Sequence, residues 1–276
     1  STKKFGFSAS IDGRYDQRGR RSDNLKLLFG SEPNSLDAWM RSQRDGIEEG
    51  YSEGMKLGFD WYINQKNTLT LSYTGRGQNT ISDHTVINNI NLIDSMSYRS
   101  LDQITDGDRN GQFHTFSLNY QKKFNKPDQE LMVDANWNIG RFNRESTQKI
   151  DYLNDMFDTD YAFDKKDVTK ANDDRAVVKI NYTHPFSKEL RLETGYNLNY
   201  SNRHSDYDYY FNGLSEKDTA TSYVFHSTEY IHALYATVGY THGNWSGQLG
   251  LRGEIVRSTA TKTMENKANT SFDKNY

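Results

Sequence analysis

At 276 residues and a net charge of −3, the chain has room for one large domain or two small ones, and its charge gives no reason to expect a nucleic-acid partner. Only 34 % of the residues are hydrophobic and mean hydropathy is −0.93, too little for an ordinary dry core. There is no cysteine, which excludes disulfides, thiol catalysis and cysteine-held metals. Nor does any window approach the roughly 20 apolar residues of a spanning helix, so a membrane crossing would have to use strands. Low hydrophobicity alone suggests disorder. The 19 tyrosines and a persistent period of two argue against it.

The first strand, 5–15, places Phe5, Phe7, Ala9, Ile11 and Tyr15 on one side and Ser8, Ser10, Asp12 and Arg14 on the other. Region 16–53 stays open: Asn24–Phe29 reads as a strand, and Leu36–Met40 as a second strand or a short helix. Met55, Leu57, Phe59 and Trp61 then alternate with Lys56, Gly58 and Asp60. Leu69, Leu71 and Tyr73 form the next apolar face, and Phe116, Leu118 and Tyr120 the one after. Leu131, Val133, Ala135, Trp137 and Ile139 oppose Asp134, Asn136 and Asn138. Strands 175–186, 189–201, 226–240 and 245–257 repeat the pattern, the last with Leu249, Leu251 and Ile255 against Gln248, Arg252 and Glu254.

Connections alternate in length. Segments 63–67, 125–129, 187–188 and 241–244 are hairpin-sized, whereas 76–112, 142–174 and 202–225 are long and polar. Short turns on one side and long loops on the other are the pattern of an outer-membrane barrel. The expected fold is therefore all-β: an antiparallel, up-and-down transmembrane β-barrel, here a partial one of nine strands, or eleven if 16–53 holds a hairpin. A soluble antiparallel sandwich shows the same alternation, and a carbohydrate-binding sandwich module is the soluble alternative. Strands of 10–14 residues, mid-strand charges and aromatic pairs at strand ends (Trp61 and Tyr62, Tyr120 and Phe124, Tyr240 and Trp245) favour the barrel.

Several stretches carry a family resemblance. Gly58–Leu69, Tyr120–Leu131, Tyr182–Phe186 and Gln248–Glu254 resemble the outer-membrane β-barrel family of Bacteroidetes-type bacteria, similar to the barrel portion of TonB-dependent receptors. Thr2–Phe7 is similar to the junction where a plug ends and the first barrel strand begins. The resemblance implies outer-membrane lipid as surroundings, a plug domain, a TonB-type energy-coupling partner and uptake of a large scarce nutrient. Barrels of this kind need on the order of 22 strands, so residues 1–276 are expected to be one barrel segment, incomplete at both ends, with Ser271–Tyr276 in a loop. A structural or adhesive surface barrel without transport is the other membrane expectation.

Candidate chemistry is sparse. Asp106-Gly-Asp108-Arg-Asn110-Gly111 matches the first half of a calcium loop, with oxygen donors at alternate positions and a glycine for the bend, but Ser117 stands where the bidentate Glu belongs. The acidic, aromatic loop 151–174 offers Asp158, Asp160 and Tyr161 as a ligand or cation surface, with a solvated loop as the plainer account. Tyr207, Tyr209, Tyr210 and Phe211 form a second aromatic tip suited to stacking on flat ligands. The seven histidines make no zinc signature, and no Gly-x-Ser-x-Gly elbow or phosphate-cradling glycine loop occurs. No catalytic residue is expected, and no cofactor beyond the calcium candidate.

Overall fold

The structure, a computed structural model, describes residues 4–29, 36–92, 98–154, 161–211, 216–265 and 267–275. They form ten strands: β1 (Phe5–Phe29), β2 (Leu36–Asn64), β3 (Asn67–Leu92), β4 (Tyr98–Lys123), β5 (Glu130–Asn154), β6 (Tyr161–Pro185), β7 (Leu190–Phe211), β8 (Tyr223–His242), β9 (Trp245–Met264) and β10 (Lys267–Asn275). All belong to one antiparallel sheet in chain order, β1 to β10. The sheet is not closed, and β1 and β10 are its two edges.

Local chemistry fixes the turns at the short end. Asn64 Oδ1 accepts from the Lys66 amide (2.9 Å) and from Asn67 Nδ2 (2.7 Å), an Asx-type closure of the β2–β3 hairpin. Asp128 (φ 62°) turns β4 into β5, in the left-handed region that Asp tolerates better than most residues. Ser187 Oγ accepts from the amides of Glu189 (3.1 Å) and Leu190 (3.0 Å) between β6 and β7. Gly243 (φ 60°) supplies the tight turn from β8 to β9.

The ten strands fall within the expected range of nine to eleven. Three expectations are corrected. Region 16–53 holds no separate hairpin, because β1 and β2 run on through it in register, Tyr15 opposite Tyr51 and Leu25 opposite Arg41. The stretches read as long loops, 76–112, 142–174 and 202–225, are mostly strand. The segment read as a terminal loop is β10, with Ser271 opposite Thr261. One physical reason covers these cases. Backbone ladder bonds hold a strand whatever its side chains are, so the end of apolar alternation does not mark the end of pairing.

The soluble sandwich fails on the same ground. A sandwich needs a second sheet against the apolar face, and the described residues form a single sheet. Ile11 and Leu251 stand 84 % and 81 % exposed, and the buried hydrophobics among the described residues are the scattered Ala38, Val86, Ile150, Ala233 and Val256. Among the described residues, nothing covers the apolar face.

Candidate functional site

Register turns the period-two pattern into horizontal rows. One row runs across six strands as Tyr73, Phe116, Trp137, Ala176, Tyr200 and Tyr230, each opposite the next. The row two residues below it toward the short turns reads Leu71, Leu118, Ala135, Val178, Leu198 and His232. His232 interrupts the apolar surface but is hydrogen-bonded to the Tyr196 hydroxyl (2.7 Å). Four residues above the aromatic row, on the same face, the row reads Gly77, Gln112, Arg141, Asn172, His204 and His226. The row between them already reads Gly75, His114, Ile139, Asp174, Asn202 and Thr228, so the change from apolar to polar sets in within two residues and crosses the sheet in register.

Below that boundary lies a belt. In β7, β8 and β9 it spans Leu190–Tyr200, Tyr230–Tyr240 and Trp245–Ile255. At about 3.3 Å per residue and about 40° of strand tilt, such a run is about 25 Å tall, the height of the apolar band of an outer-membrane barrel. Rings sit at both margins: Trp61, Tyr120, Tyr182 and Tyr240 near the short turns, and Tyr73, Tyr200 and Tyr230 above. Tyr200 and Tyr230 pack at 4.9 Å and Tyr73 on Phe116 at 5.0 Å. Amphipathic rings favour such an interface. Between β1 and β6 the belt is hollowed into a trough of about 870 Å³ walled by Phe59, Leu71, Leu118 and Val178 among others.

The opposite face is polar at the same height. Thr70 donates to Asp60 (2.6 Å), Gln121 to Glu130 (2.6 Å), Thr115 to Asn138 (2.8 Å) and the Tyr235 hydroxyl to Asn181 (2.6 Å). Such pairs suit a wet lumen and would be costly against acyl chains.

Above the belt the two faces differ in charge. Acids outnumber bases on the belt-side face (Asp45, Glu49, Asp83, Asp106, Asp108 and Asp174, against Arg41, Arg141 and Lys170 among others), and bases outnumber acids on the lumen-side face (Arg18, Arg20, Arg44, Arg109, Arg144 and Arg203, against Asp16, Glu48 and Asp173 among others). Periodicity alone did not expose this segregation, because it emerges only when strand registers place the residues side by side.

The sequence candidates fall on this upper part. Asp106, Asp108 and Asn110 lie along β4 on one face, not in a loop. Alternate strand positions are about 6.6 Å apart, so the three spread over about 13 Å and do not converge as a calcium loop would make them. Asp158 and Asp160 lie outside the described residues, and Tyr161 is described by its backbone as the first residue of β6, opposite Tyr152. Tyr207, Tyr209 and Phe211 share the lumen-side face of β7, and Tyr210 points to the other. Tyr207 stacks on Tyr223 (5.1 Å), whose ring lies under Lys262 (4.1 Å), and Phe211 packs on Phe163 (5.3 Å). Close to Tyr207 on that face, burial pushes the Asp167 carboxyl above the usual carboxylate range, against the opposing pull of Arg144 and Lys165. Burial also pushes the Tyr207 phenol up, and Asp167 adds to the shift. No group of three or more His, Asp or Glu among the described residues is placed to hold a metal.

The model of the outer membrane protein beta-barrel family matches residues 122–276, more than half of the chain. The chain belongs to the outer membrane protein beta-barrel family. Its place is the outer membrane, its belt meets membrane lipid, and its ten strands are antiparallel and up-and-down. Comparison with curated proteins finds no match. Among solved structures, the chain is similar to the outer membrane protease OmpT from Escherichia coli, at 9 % identity and a TM-score of 0.30, covering 95 % of this chain and 90 % of that one. It is also similar to the siderophore receptor PirA from Acinetobacter baumannii (10 %, 0.15, 99 % and 62 %). A third is the ferric yersiniabactin uptake receptor FyuA from Yersinia pestis (8 %, 0.26, 96 % and 57 %). The chain spans about three fifths of the length of those two receptors. At such low identities and TM-scores these likenesses carry no argument about this chain.

Proposed function

We propose that the chain forms part of the barrel wall of a TonB-dependent receptor-like protein that takes up a nutrient across the outer membrane, and that it is not an enzyme. The observation that carries this reading is the pairing of a lipid-facing belt with a hydrogen-bonding face at the same height, in a sheet whose strands rise well past the belt on one side only. A wall of that kind separates lipid from a wet passage and raises a surface toward arriving solutes. In this reading a plug domain occupies the passage and a TonB-type protein supplies the energy. Tyr207, Tyr209 and Phe211 present rings to the passage, and Tyr210, Asp158, Asp160 and Tyr161 belong to the outer ligand surface. Asp106 and Asp108 offer carboxylates, and Asn110 an amide oxygen, to an incoming cation such as calcium one at a time, not as a cage.

The test is crosslinking of the full-length protein to the energy-coupling protein in living cells. A specific crosslink, lost when that partner is deleted, supports uptake. A protein that sits in the outer membrane and never crosslinks is a structural or adhesive barrel instead.

A further inference from the structure

In the upper part of the lumen-side face, β1 to β5 wall a cavity of about 480 Å³. Arg20, Arg44, Arg109 and Arg144 line it, together with Glu48 and His84. Arg20 is paired with Glu48 at 2.8 Å. Arg109 and Arg144 are directly opposite each other on β4 and β5. Like charges in that position repel and destabilise a sheet. Neither arginine has a carboxylate within ion-pair distance among the described residues. Arg109 lies over the Phe142 ring (5.7 Å), and Asp167, diagonal to Arg144 across the β5–β6 register, interacts with it from beyond ion-pair distance. The wall also includes Ser82, Thr80, Gln103 and Gln148, while Asp108 and Glu145 line it next to the two arginines but alternate toward the other face, where Glu145 pairs with Lys166. Gly107 keeps it open, since a Cβ there would stand 2.6 Å from Ser82 Oγ. His84 presses its Nδ1 against Gly46, buried and without a hydrogen-bond partner among the described residues.

We infer that this cavity is a binding site for a small multivalent anion, a phosphate or polycarboxylate group, with Arg109 and Arg144 as its two forks. Two opposed guanidiniums with no carboxylate in ion-pair contact become favourable once a dianion bridges them, because each offers a planar pair of donors to a carboxylate or phosphate. The volume suits a small solute. This inference rests on the reading that the face lines a wet lumen, but not on transport. A receptor that never meets an energy-coupling partner would still bind the anion.

The arrangement also predicts a split that a purely structural role would not show. The test uses the full-length protein purified in detergent, with sodium pyrophosphate and sodium citrate as probes, titrated by calorimetry at constant ionic strength against chloride. Saturable binding of at least one probe is expected. Arg109→Gln and, separately, Arg144→Gln should each weaken it at least tenfold while raising the melting temperature of the anion-free protein, since each removes the repulsion. Arg141→Gln, on the opposite face of β5, should change neither. The inference is overturned if neither probe saturates, if Arg141→Gln weakens binding as much as Arg109→Gln does, or if both lumen-side variants melt lower without ligand.

Discussion

The lower and upper halves of these strands use one backbone pattern and two different side-chain logics. Below the aromatic row the belt side is apolar, and each leucine moved from water into acyl chains contributes about 2 kcal/mol. Above it the same side of the same strands turns acidic while the ladder continues unbroken, as at Asn79–Asn110–Asn143. There, pairing rests on backbone bonds worth about 1 kcal/mol net each and on cross-strand contacts such as Lys166 with Glu145. The belt is thus specified by its solvent and the upper part by its neighbours. A strand that keeps its register can change its surroundings within two residues.

The sharpest way to break that comparison is to place one charge on either side of the boundary. Leu118→Arg lies in the belt and should cost about 2–4 kcal/mol of folding into vesicles, read by urea titration. Asn110→Arg, on the same face of the same strand but above the belt, should change stability by no more than about 0.5 kcal/mol. Ser117→Arg, one residue from Leu118 but facing the lumen, should resemble Asn110→Arg. Equal penalties at positions 118 and 110 would contradict a lipid boundary between them.

A smaller effect separates the two faces within the belt. Thr70→Val removes the bond to Asp60 and should cost about 1 kcal/mol in the same titration. If the polar face were in lipid, it would stabilise instead.

The smallest effect concerns pH in the upper half. Because burial raises the Asp167 pKa in the folded protein, folding takes up a proton there. Its contribution is fully present below the unfolded carboxylate pKa and is lost as pH rises through the folded value. Wild-type stability should therefore fall across that window more steeply than that of Asp167→Asn. Parallel pH profiles for the two proteins would refute the burial.

Much of the belt was legible from sequence because lipid demands a strict period of two: Leu131, Val133 and Ala135 could be set on one face before any register was known. The short turns were legible for a similar reason, since Asn64, Ser187 and Gly243 carry local turn chemistry. The upper strands were not. Gln78, Asn79, Thr80 and Ile81 carry no apolar alternation, because both their faces meet water, and so they resemble a loop. Nor was the arginine cavity legible. Arg109 and Arg144 are far apart in sequence, and only the β4–β5 register makes them neighbours. The calcium motif misled because Asp-x-Asp-x-Asn also alternates on a strand, where the spacing that suits a loop points three side chains along a line.

The account turns on where lipid stops. The chain lacks cysteine, so a single one introduced along β4 carries a fluorophore at a unique place. Cysteine at 120, 118, 116, 110, 108 and 106, labelled and reconstituted in vesicles of brominated lipid, should be quenched at the first three positions and unquenched at the last three. Quenching that continues undiminished through 110 and 106, or that is absent at 118, would contradict a belt ending at the aromatic row.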